Sequence, residues 1–232
     1  MVRTEIEGWL VYSLDLNMID QTELAALRQD YSQRELSKAI VAADPFDQFT
    51  RWFNEAVSSQ IVEPNAMHLG TATPDGRPSG RTVLLKEFDK SGFKFFTNYG
   101  SAKARELAAN PSCYLHFFWK ELERQIFIRG TAAKTSEQES DEYFATRPYK
   151  SQIGALASEQ SYVIRSRDVI EKRFEELTGK YPEGSVPRPP FWGGFHITPE
   201  AFEFWQGRRS RLHDRILYTC LENAWTISRL SP

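Results

Sequence analysis

Cysteine is almost absent from this chain of 232 residues, which contains only Cys113 and Cys220. Both lie in apolar or strand-like stretches, so they predict no disulfide framework and favour a reduced, cytoplasmic compartment. No apolar run approaches the ~20 residues that a membrane-spanning helix needs. Glu5, Glu7 and Asp15 interrupt the apolar residues of the N-terminal segment, which argues against a signal peptide. We therefore expect a soluble, cytoplasmic protein that has no membrane partner.

An excess of one charge is also missing. Lys and Arg number 29 against 31 acidic residues, which gives a formal net charge of −2. This balance does not support a nucleic-acid partner for the chain as a whole. The four histidines lack metal-ligand spacing, so we expect no metal site. A glycine-rich dinucleotide fingerprint, a Walker phosphate loop and a Gly-x-Ser-x-Gly elbow are missing as well. A bound organic cofactor is one of the few remaining routes to chemistry.

What the sequence does contain is a series of short strand patterns between helical segments. Strands are predicted at residues 66–73, 80–88, 93–97, 113–119, 124–133, 194–197, 201–205, 216–219 and 225–227. Helices are predicted at residues 44–58, from about 101, at 136–146 and at 168–177. Consecutive antiparallel strands favour a barrel or a sandwich. We predict an irregular lead-in over residues 1–19 and a single α+β domain over residues 20–232.

Several polar clusters could bind a phosphorylated aromatic ligand. Cations stand at both ends of the strand at 81–86, and a glycine turn at 97–103 leads into a helix with a serine and a lysine. Strand alternation places Gln125 on one face, and Tyr143, Arg147 and Ser151 recur every four residues. Pro148 should bend the helix or restart it there, which leaves the alignment of Ser151 with the other two open. Taken singly, each cluster also fits a solvated surface or a capped helix.

A further cluster concentrates arginines beside a tryptophan and a histidine. The residues are Trp205, Arg208, Arg209, Arg211, His213 and Arg215. Such a cluster could hold a phosphorylated aromatic molecule, bind single-stranded nucleic acid by charge and stacking, or form surface pairs with acids. The pattern alone does not decide among these three, although the net charge disfavours a broad nucleic-acid footprint.

Together, these segments closely resemble the pyridoxamine 5′-phosphate oxidase family, from about Arg28 to Pro232. The motifs that carry the resemblance are RTVLLK at 81–86, ERQ at 123–125, RPYKSQIGA at 147–155, FWGG at 191–194, FWQG at 204–207 and RLHDR at 211–215. Several long motifs in the right order are more specific than any one of them. The resemblance implies an antiparallel FMN-binding split β-barrel with flanking helices, and a homodimer that binds FMN between its subunits.

The resemblance also implies which residues form the site. Flavin contacts would be Arg81, Thr82, Val83, Leu84, Leu85, Lys86, Phe96, Thr97, Lys103, Gln125, Gln160, Ser161, Trp205 and Arg215. Substrate contacts would be Arg28, Tyr31, Lys86, Tyr143, Arg147, Ser151, Arg211 and His213. Among these, Arg211 and His213 would orient the substrate ring as the catalytic pair, and Arg28 and Tyr31 would belong to a segment that closes over the substrate.

The implied reaction converts pyridoxamine or pyridoxine 5′-phosphate to pyridoxal 5′-phosphate. A hydride passes from the 4′ carbon to flavin N5, and dioxygen then reoxidises the flavin and yields hydrogen peroxide. A split-barrel flavoenzyme with another substrate, and a non-catalytic protein that binds FMN or pyridoxal phosphate, are the alternatives. A nucleic-acid-binding barrel is a more distant one.

The chain departs from the family pattern at two positions. Ala102-Lys103 stands where the family usually has Arg-Lys, so we expect FMN binding to be weaker by the loss of one guanidinium. Phe96 stands where relatives carry tyrosine, which is a milder change if the contact runs through backbone atoms.

Overall fold

The computed structural model describes Tyr31, residues 34–222 and residues 224–232. The predicted lead-in at 1–19 and the predicted substrate contact Arg28 lie outside this part of the chain. None of the helices in the described residues is long and apolar enough to cross a membrane.

An antiparallel sheet forms the centre of the described chain, and its order is β2-β1-β5-β6-β7-β4-β3, with β8 and β9 continuing from β7. The strands are β1 Ala66–Ala72, β2 Pro78–Leu84, β3 Glu87–Asp89, β4 Gly92–Asn98, β5 Ser112–Trp119, β6 Arg124–Lys134, β7 Trp192–Gln206, β8 Asp214–Leu221 and β9 Ala224–Leu230. Together with the helices, this sheet confirms the predicted α+β class.

The strand predicted at residues 80–88 is in fact two strands, because the chain changes its pairing partner. β2 pairs with β1 as far as Leu84, and the backbone N–H of Leu85 then donates to the carbonyl of Asn65. The next N–H, that of Lys86, donates to the carbonyl of Lys94 on β4 at 2.9 Å. Lys86 therefore stands where the sheet turns from β1 towards β4, at the edge of the site described below.

The strands predicted at 194–197 and 201–205 are instead one strand, β7. It pairs with β6 over most of its length, with β4 through its first half and with β8 through its second half. The gap between the two predicted strands contains Pro199, which has no N–H to donate. The register of β6 and β7 shifts between Arg129 and Gly130 beside that proline, so the strand continues through a bulge.

Five helices flank the sheet in the described residues. They are α1 Pro45–Ser58, α2 Ala102–Ala109, α3 Glu137–Thr146, α4 Tyr149–Ala157 and α5 Arg167–Lys180. Asp44 caps α1 by accepting from the N–H groups of Phe46 and Asp47. Phe49 of α1 contacts Phe93 with ring centroids 4.9 Å apart, which anchors the helix on the sheet. Burial of one such phenylalanine contributes about 1.5–3 kcal/mol.

Helix α4 begins at the proline that was expected to bend or restart the helix, although its bounds were not predicted. Arg147 ends α3 in an extended conformation, and the chain restarts as a helix at Tyr149, with Pro148 as the N-cap. Proline cannot continue a helix because it lacks the N–H and its ring clashes with the preceding turn. Tyr143 and Ser151 therefore lie on two different helices, so the expected four-residue spacing along one helix face is not what brings them together.

Candidate functional site

A pocket of about 570 Å³ opens between β4, α3 and α4. Its lining includes eight of the predicted site residues, namely Leu84, Lys86, Phe96, Thr97, Tyr143, Arg147, Ser151 and Gln160. The four residues predicted to grip a phosphate, Lys86, Tyr143, Arg147 and Ser151, are all among them. The helix break at Pro148 places Arg147 and Ser151 on the same wall, one at the end of α3 and one in the first turn of α4.

Arg147 is the most unusual side chain of this pocket. Its guanidinium lies over the ring of Trp192, 4.5 Å from the centroid, and burial lowers its pKa. Its Nη1 is buried and has no hydrogen-bond partner, the one such side-chain nitrogen or oxygen in the part of the chain that the structure describes. A buried guanidinium nitrogen without a partner costs free energy that a bound anion would recover.

An aromatic stack of Phe96, Tyr143 and Trp192 also lines this pocket. The rings of Phe96 and Tyr143 are nearly parallel with centroids 3.9 Å apart, and Trp192 lies 5.6 Å from Phe96 on the same stack. A Cβ added at Gly194 would lie 2.8 Å from the Phe96 ring, so β7 approaches this stack closely only because glycine stands there. Trp192 of the FWGG motif lines the pocket, although it was not among the predicted contacts.

A second cation, Lys103, lies at the start of α2. The side chain is 9% exposed, and its Nζ is 3.2 Å from both Thr97 Oγ1 and Gln160 Oε1. Burial lowers the pKa of Lys103, and the charge of Arg81 lowers it further. Among the described residues no carboxylate forms an ion pair with Lys103. Ser161 adds its Oγ, which accepts from the backbone N–H of Ala102 at 3.2 Å.

The residues of the predicted cofactor strand 81–86 differ in their contacts and in their exposure. Arg81 donates to Thr71 and to Ser79, and it pairs with Glu106 of α2 at 3.2 Å. Burial acts to raise the pKa of Glu106, but hydrogen bonds from Ser79, Thr71 and Arg81 outweigh it and lower the pKa. The Leu85 side chain belongs to the hydrophobic core and Val83 packs against it, whereas Thr82 and Lys86 are exposed.

Three other predicted flavin contacts form a row across the sheet. Gln125 of β6 stands opposite Trp205 of β7, which stands opposite Arg215 of β8. Directly paired residues of an antiparallel sheet project from the same face, so these three side chains line one surface. They border a second pocket of about 390 Å³. Glu203 accepts two hydrogen bonds from Arg215, of 2.7 and 3.1 Å, and hydrogen bonding to Glu203 raises the pKa of Arg215.

The predicted catalytic pair lies in the loop between β7 and β8. His213 Nδ1 accepts from the backbone N–H of Arg208 at 3.1 Å, and its ring lies 4.5 Å from that of Trp205 and 6.0 Å from that of Tyr31. Burial lowers the pKa of His213, and the charge of Arg211 adds to this effect. Arg211 itself is exposed and has a positive φ of 61°. The imidazole is therefore neutral near pH 7, and its free nitrogen carries the proton.

The predicted residues thus fall into two sets within one chain. The first set lines the pocket beside Lys103. The second set consists of Gln125, Trp205 and Arg215 together with Tyr31, Arg211 and His213. Gln125, Trp205 and Arg215 of the second set border a different pocket from the first set. Sequence reasoning missed Trp192, Glu106 and His116, which are brought to these sites by side-chain contacts between elements distant in the chain. The described residues contain no group of three or more His, Cys, Asp or Glu side chains that could hold a metal ion.

Two family models match the chain. The model described as pyridoxamine 5′-phosphate oxidase matches residues 53–181, and that of the pyridoxine 5′-phosphate oxidase C-terminal dimerisation region matches residues 192–232. A pyridoxine/pyridoxamine 5′-phosphate oxidase from Nostoc punctiforme is 55% identical over 92% of this chain and 100% of its own length. One from Paraburkholderia phymatum is 57% identical over 90% of this chain and 99% of its own length.

Solved structures confirm the expected split-barrel fold. PhzG from Burkholderia lata, in complex with tetrahydrophenazine-1-carboxylic acid, has a TM-score of 0.82 and 30% identity, and covers 88% of this chain and 100% of its own. A pyridoxamine 5′-phosphate oxidase-related, FMN-binding protein from Nostoc punctiforme has a TM-score of 0.65 at 16% identity, and covers 81% of this chain and 97% of its own. By its motifs, its fold and these relatives, the chain belongs to the pyridoxamine 5′-phosphate oxidase family, whose C-terminal dimerisation region it carries.

Proposed function

We propose that this protein is an FMN-dependent oxidase that converts pyridoxamine or pyridoxine 5′-phosphate to pyridoxal 5′-phosphate. The observation that carries the proposal is the buried, unpartnered Nη1 of Arg147 in a pocket that also holds Lys86, Tyr143 and Ser151. Two cations and two hydroxyl groups suit a phosphate monoester. The flat wall formed by Phe96 and Tyr143 suits an aromatic ring beside it.

The residues around Lys103 fit the phosphate of FMN. Lys103 is buried without a carboxylate partner among the described residues, and the N-terminus of α2 adds its positive dipole. Thr97, Gln160 and Ser161 supply neutral oxygen and nitrogen atoms around the lysine. When bound, FMN would supply the acceptor for a hydride from the substrate's 4′ carbon and the route by which dioxygen is reduced to hydrogen peroxide.

The dimer offers a reason for the separation of the two residue sets. The C-terminal dimerisation region contains Trp205, Arg211, His213 and Arg215, all from the second set. We infer that the second set of one protomer completes the cleft that the first set of its partner begins, so that FMN lies between the subunits. In this arrangement Gln125, Trp205 and Arg215 would face the flavin ring, and Lys103 of the other protomer would hold its phosphate.

The substrate ring would be oriented by the loop at 211–213. His213 is fixed as a neutral imidazole because Nδ1 accepts from the N–H of Arg208, so Nε2 remains to donate to an oxygen of the substrate. Arg211 would add a positive charge beside the ring nitrogen or phenolic oxygen. Tyr31 contacts Trp205 and His213 edge-on or tilted and would cover the substrate from the N-terminal side.

The overall reaction balances for both substrates. Pyridoxine 5′-phosphate and dioxygen give pyridoxal 5′-phosphate and hydrogen peroxide. Pyridoxamine 5′-phosphate requires one water in addition and releases ammonia, because oxidation of the amine gives an imine that water hydrolyses to the aldehyde. In this proposal the chain's own residues position the 4′ carbon and the phosphate.

The direct test is an anaerobic absorbance spectrum of the FMN-saturated protein before and after pyridoxine 5′-phosphate is added. We expect the flavin band to bleach, and air to restore it as pyridoxal 5′-phosphate and hydrogen peroxide form. An unbleached band would contradict the proposal, and bleaching by a tricyclic carboxylic acid such as the PhzG ligand would favour the other-substrate alternative. Failure to bind FMN even at saturation would overturn the flavoenzyme assignment.

A variant pair then tests the phosphate pocket. Arg147→Met should raise KM for pyridoxine 5′-phosphate about 10- to 150-fold, since one charge-assisted contact contributes roughly 1.5–3 kcal/mol. Arg167→Met is the matched control, because Arg167 is an exposed residue of α5 that pairs with Glu171. An unchanged KM in the Arg147 variant would refute the assignment of this pocket to the substrate phosphate.

A further inference from the structure

His116 is a polar residue of the sheet that the reaction described above does not use. It lies on β5 opposite Phe127 of β6, while Gln125 of β6 lies opposite Phe118. His116 and Gln125 are therefore diagonal neighbours on one face of the β5–β6 pair, which is within reach of long side chains. His116 Nε2 lies 2.9 Å from Gln125 Oε1, and both residues border the pocket that contains Trp205 and Arg215.

The chemistry of this contact decides which end of the Gln125 amide is free. A glutamine amide has an oxygen that only accepts and a nitrogen that only donates. Because the oxygen faces His116, the imidazole Nε2 has to carry the hydrogen and donate it. The amide NH2 group of Gln125 is then directed away from His116. If the amide turned round, the pocket would receive an acceptor in place of a donor.

We propose that His116 is a positioning residue that holds the Gln125 amide with its NH2 group towards the flavin, so that Gln125 donates to an acceptor atom of the isoalloxazine ring. This inference rests on the proposed function, because it takes the pocket beside Trp205 and Arg215 as the flavin pocket. His116 borders the same pocket, and the role proposed for it is to orient Gln125. It acts through Gln125, in the row that runs from β6 to β8.

The orientation has a consequence for the bound flavin. A donor at a carbonyl or ring nitrogen of the pyrimidine portion stabilises the negative charge that the ring gains on reduction. Without His116 the amide can present either end, so this stabilisation weakens. We expect the flavin of the His116→Leu protein to have a more negative reduction potential than that of the wild type. We also expect FMN to bind about three- to tenfold more weakly, the range of one neutral hydrogen bond.

A double-mutant cycle on FMN affinity and reduction potential tests the proposal. The variants are His116→Leu, Gln125→Ala and the double variant, with FMN binding followed by quenching of flavin fluorescence. If His116 acts through Gln125, its substitution has no further effect once Gln125 is alanine. His116→Gln, which offers an amide N–H in place of the imidazole, should recover part of the lost affinity and potential. Additive effects of the two substitutions, or wild-type values in His116→Leu, would overturn the proposal.

His196→Leu is the matched control. His196 lies on β7 of the same sheet and its Nε2 also has a single side-chain partner, Ser91 Oγ at 3.1 Å, away from the flavin pocket. It should leave the FMN affinity and the potential at wild-type values. If the wild-type protein binds FMN and is reduced by substrate, but His116→Leu changes neither the FMN affinity nor the reduction potential, the role proposed for His116 is refuted and the proposed function stands. A wild-type protein that binds no FMN would refute the proposed function itself.

Discussion

Replacement of Lys103 by methionine should strengthen the fold and weaken the cofactor site. Lys103 is 9% exposed, and its Nζ contacts the neutral oxygens of Thr97, Gln160 and Ser101 at 3.2, 3.2 and 3.5 Å. Methionine keeps a similar volume and removes a charge that burial disfavours. We therefore expect the FMN-free variant to melt at the same temperature as the wild type or above it, as followed by circular dichroism.

The same change removes the proposed partner of the FMN phosphate. A hydrogen bond to a charged group contributes about 1.5–3 kcal/mol, so the Kd for FMN should rise about 10- to 150-fold. Lys172→Met in α5 is the control, because Lys172 is exposed and lies outside the site. The opposite signs of the two effects distinguish a binding lysine from a structural one. A variant that is less stable and binds FMN normally would refute the reasoning.

The lowered pKa of Lys103 adds a pH dependence with a definite sign. Between that pKa and the ordinary value of 10.5, the folded protein binds fewer protons than the unfolded chain, so the contribution of this group to stability rises with pH. FMN binding requires the charged ammonium, and the affinity should therefore fall as the pH rises through the lowered pKa. Both trends should be absent from Lys103→Met, and their persistence in that variant would assign them to another group.

Three further predictions concern single residues. Ala102→Arg restores the guanidinium of the family pattern and should lower the Kd for FMN. An unchanged Kd in a fluorescence titration would contradict the expectation that the missing guanidinium weakens FMN binding. The pKa of His213 is held below its usual 6.5. As the pH falls through the lowered pKa, protonation of Nδ1 breaks the hydrogen bond from the N–H of Arg208, and kcat/KM should decline. The His213→Asn variant should lack this decline. Hydrogen bonds from Lys94 and the Ser136 cap lower the pKa of Glu139 to about 2, so its contribution to stability is complete above about pH 4.5 and is lost as the pH falls towards 2. Acid unfolding of Glu139→Gln followed by circular dichroism should show less loss of stability over that interval than the wild type, and identical acid profiles would contradict the assignment.

The sequence was most informative where the signal is local. Strand alternation predicted β5 and β6 almost to their ends, and the capping box at Ser136 predicted the start of α3, because both patterns are properties of a few adjacent residues. The switch of pairing partner after Leu84 and the continuation of β7 through Pro199 depend on strands distant in the chain. Neither has a local signature, so both were missed.

The site was predicted in part for a similar reason. The motif resemblance named Lys86, Tyr143, Arg147 and Ser151, and the structure brings these four to one pocket. The interruption expected at Pro148 is confirmed, because one helix ends at Thr146 and the next begins at Tyr149. The resemblance could not reveal that Arg81 is engaged by Glu106, since that ion pair joins a strand to a helix that begins some 20 residues later.

The desolvated cations Arg124, Arg147 and Lys103 differ in whether a carboxylate of the described residues pairs with them. Arg124 is 3% exposed, yet its guanidinium pairs with Glu55 at 2.7 Å, donates to Gln206 at 2.9 Å and lies over the Trp52 ring. The fold itself therefore satisfies this charge. Arg147 and Lys103 are also desolvated, but no carboxylate among the described residues pairs with either. An uncompensated buried cation lowers stability unless an anion completes it. Both proposed ligands, the substrate and FMN, carry a phosphate group. In the proposed complex the substrate phosphate would pair with Arg147 and the FMN phosphate with Lys103, so each of these desolvated cations would gain an anionic partner.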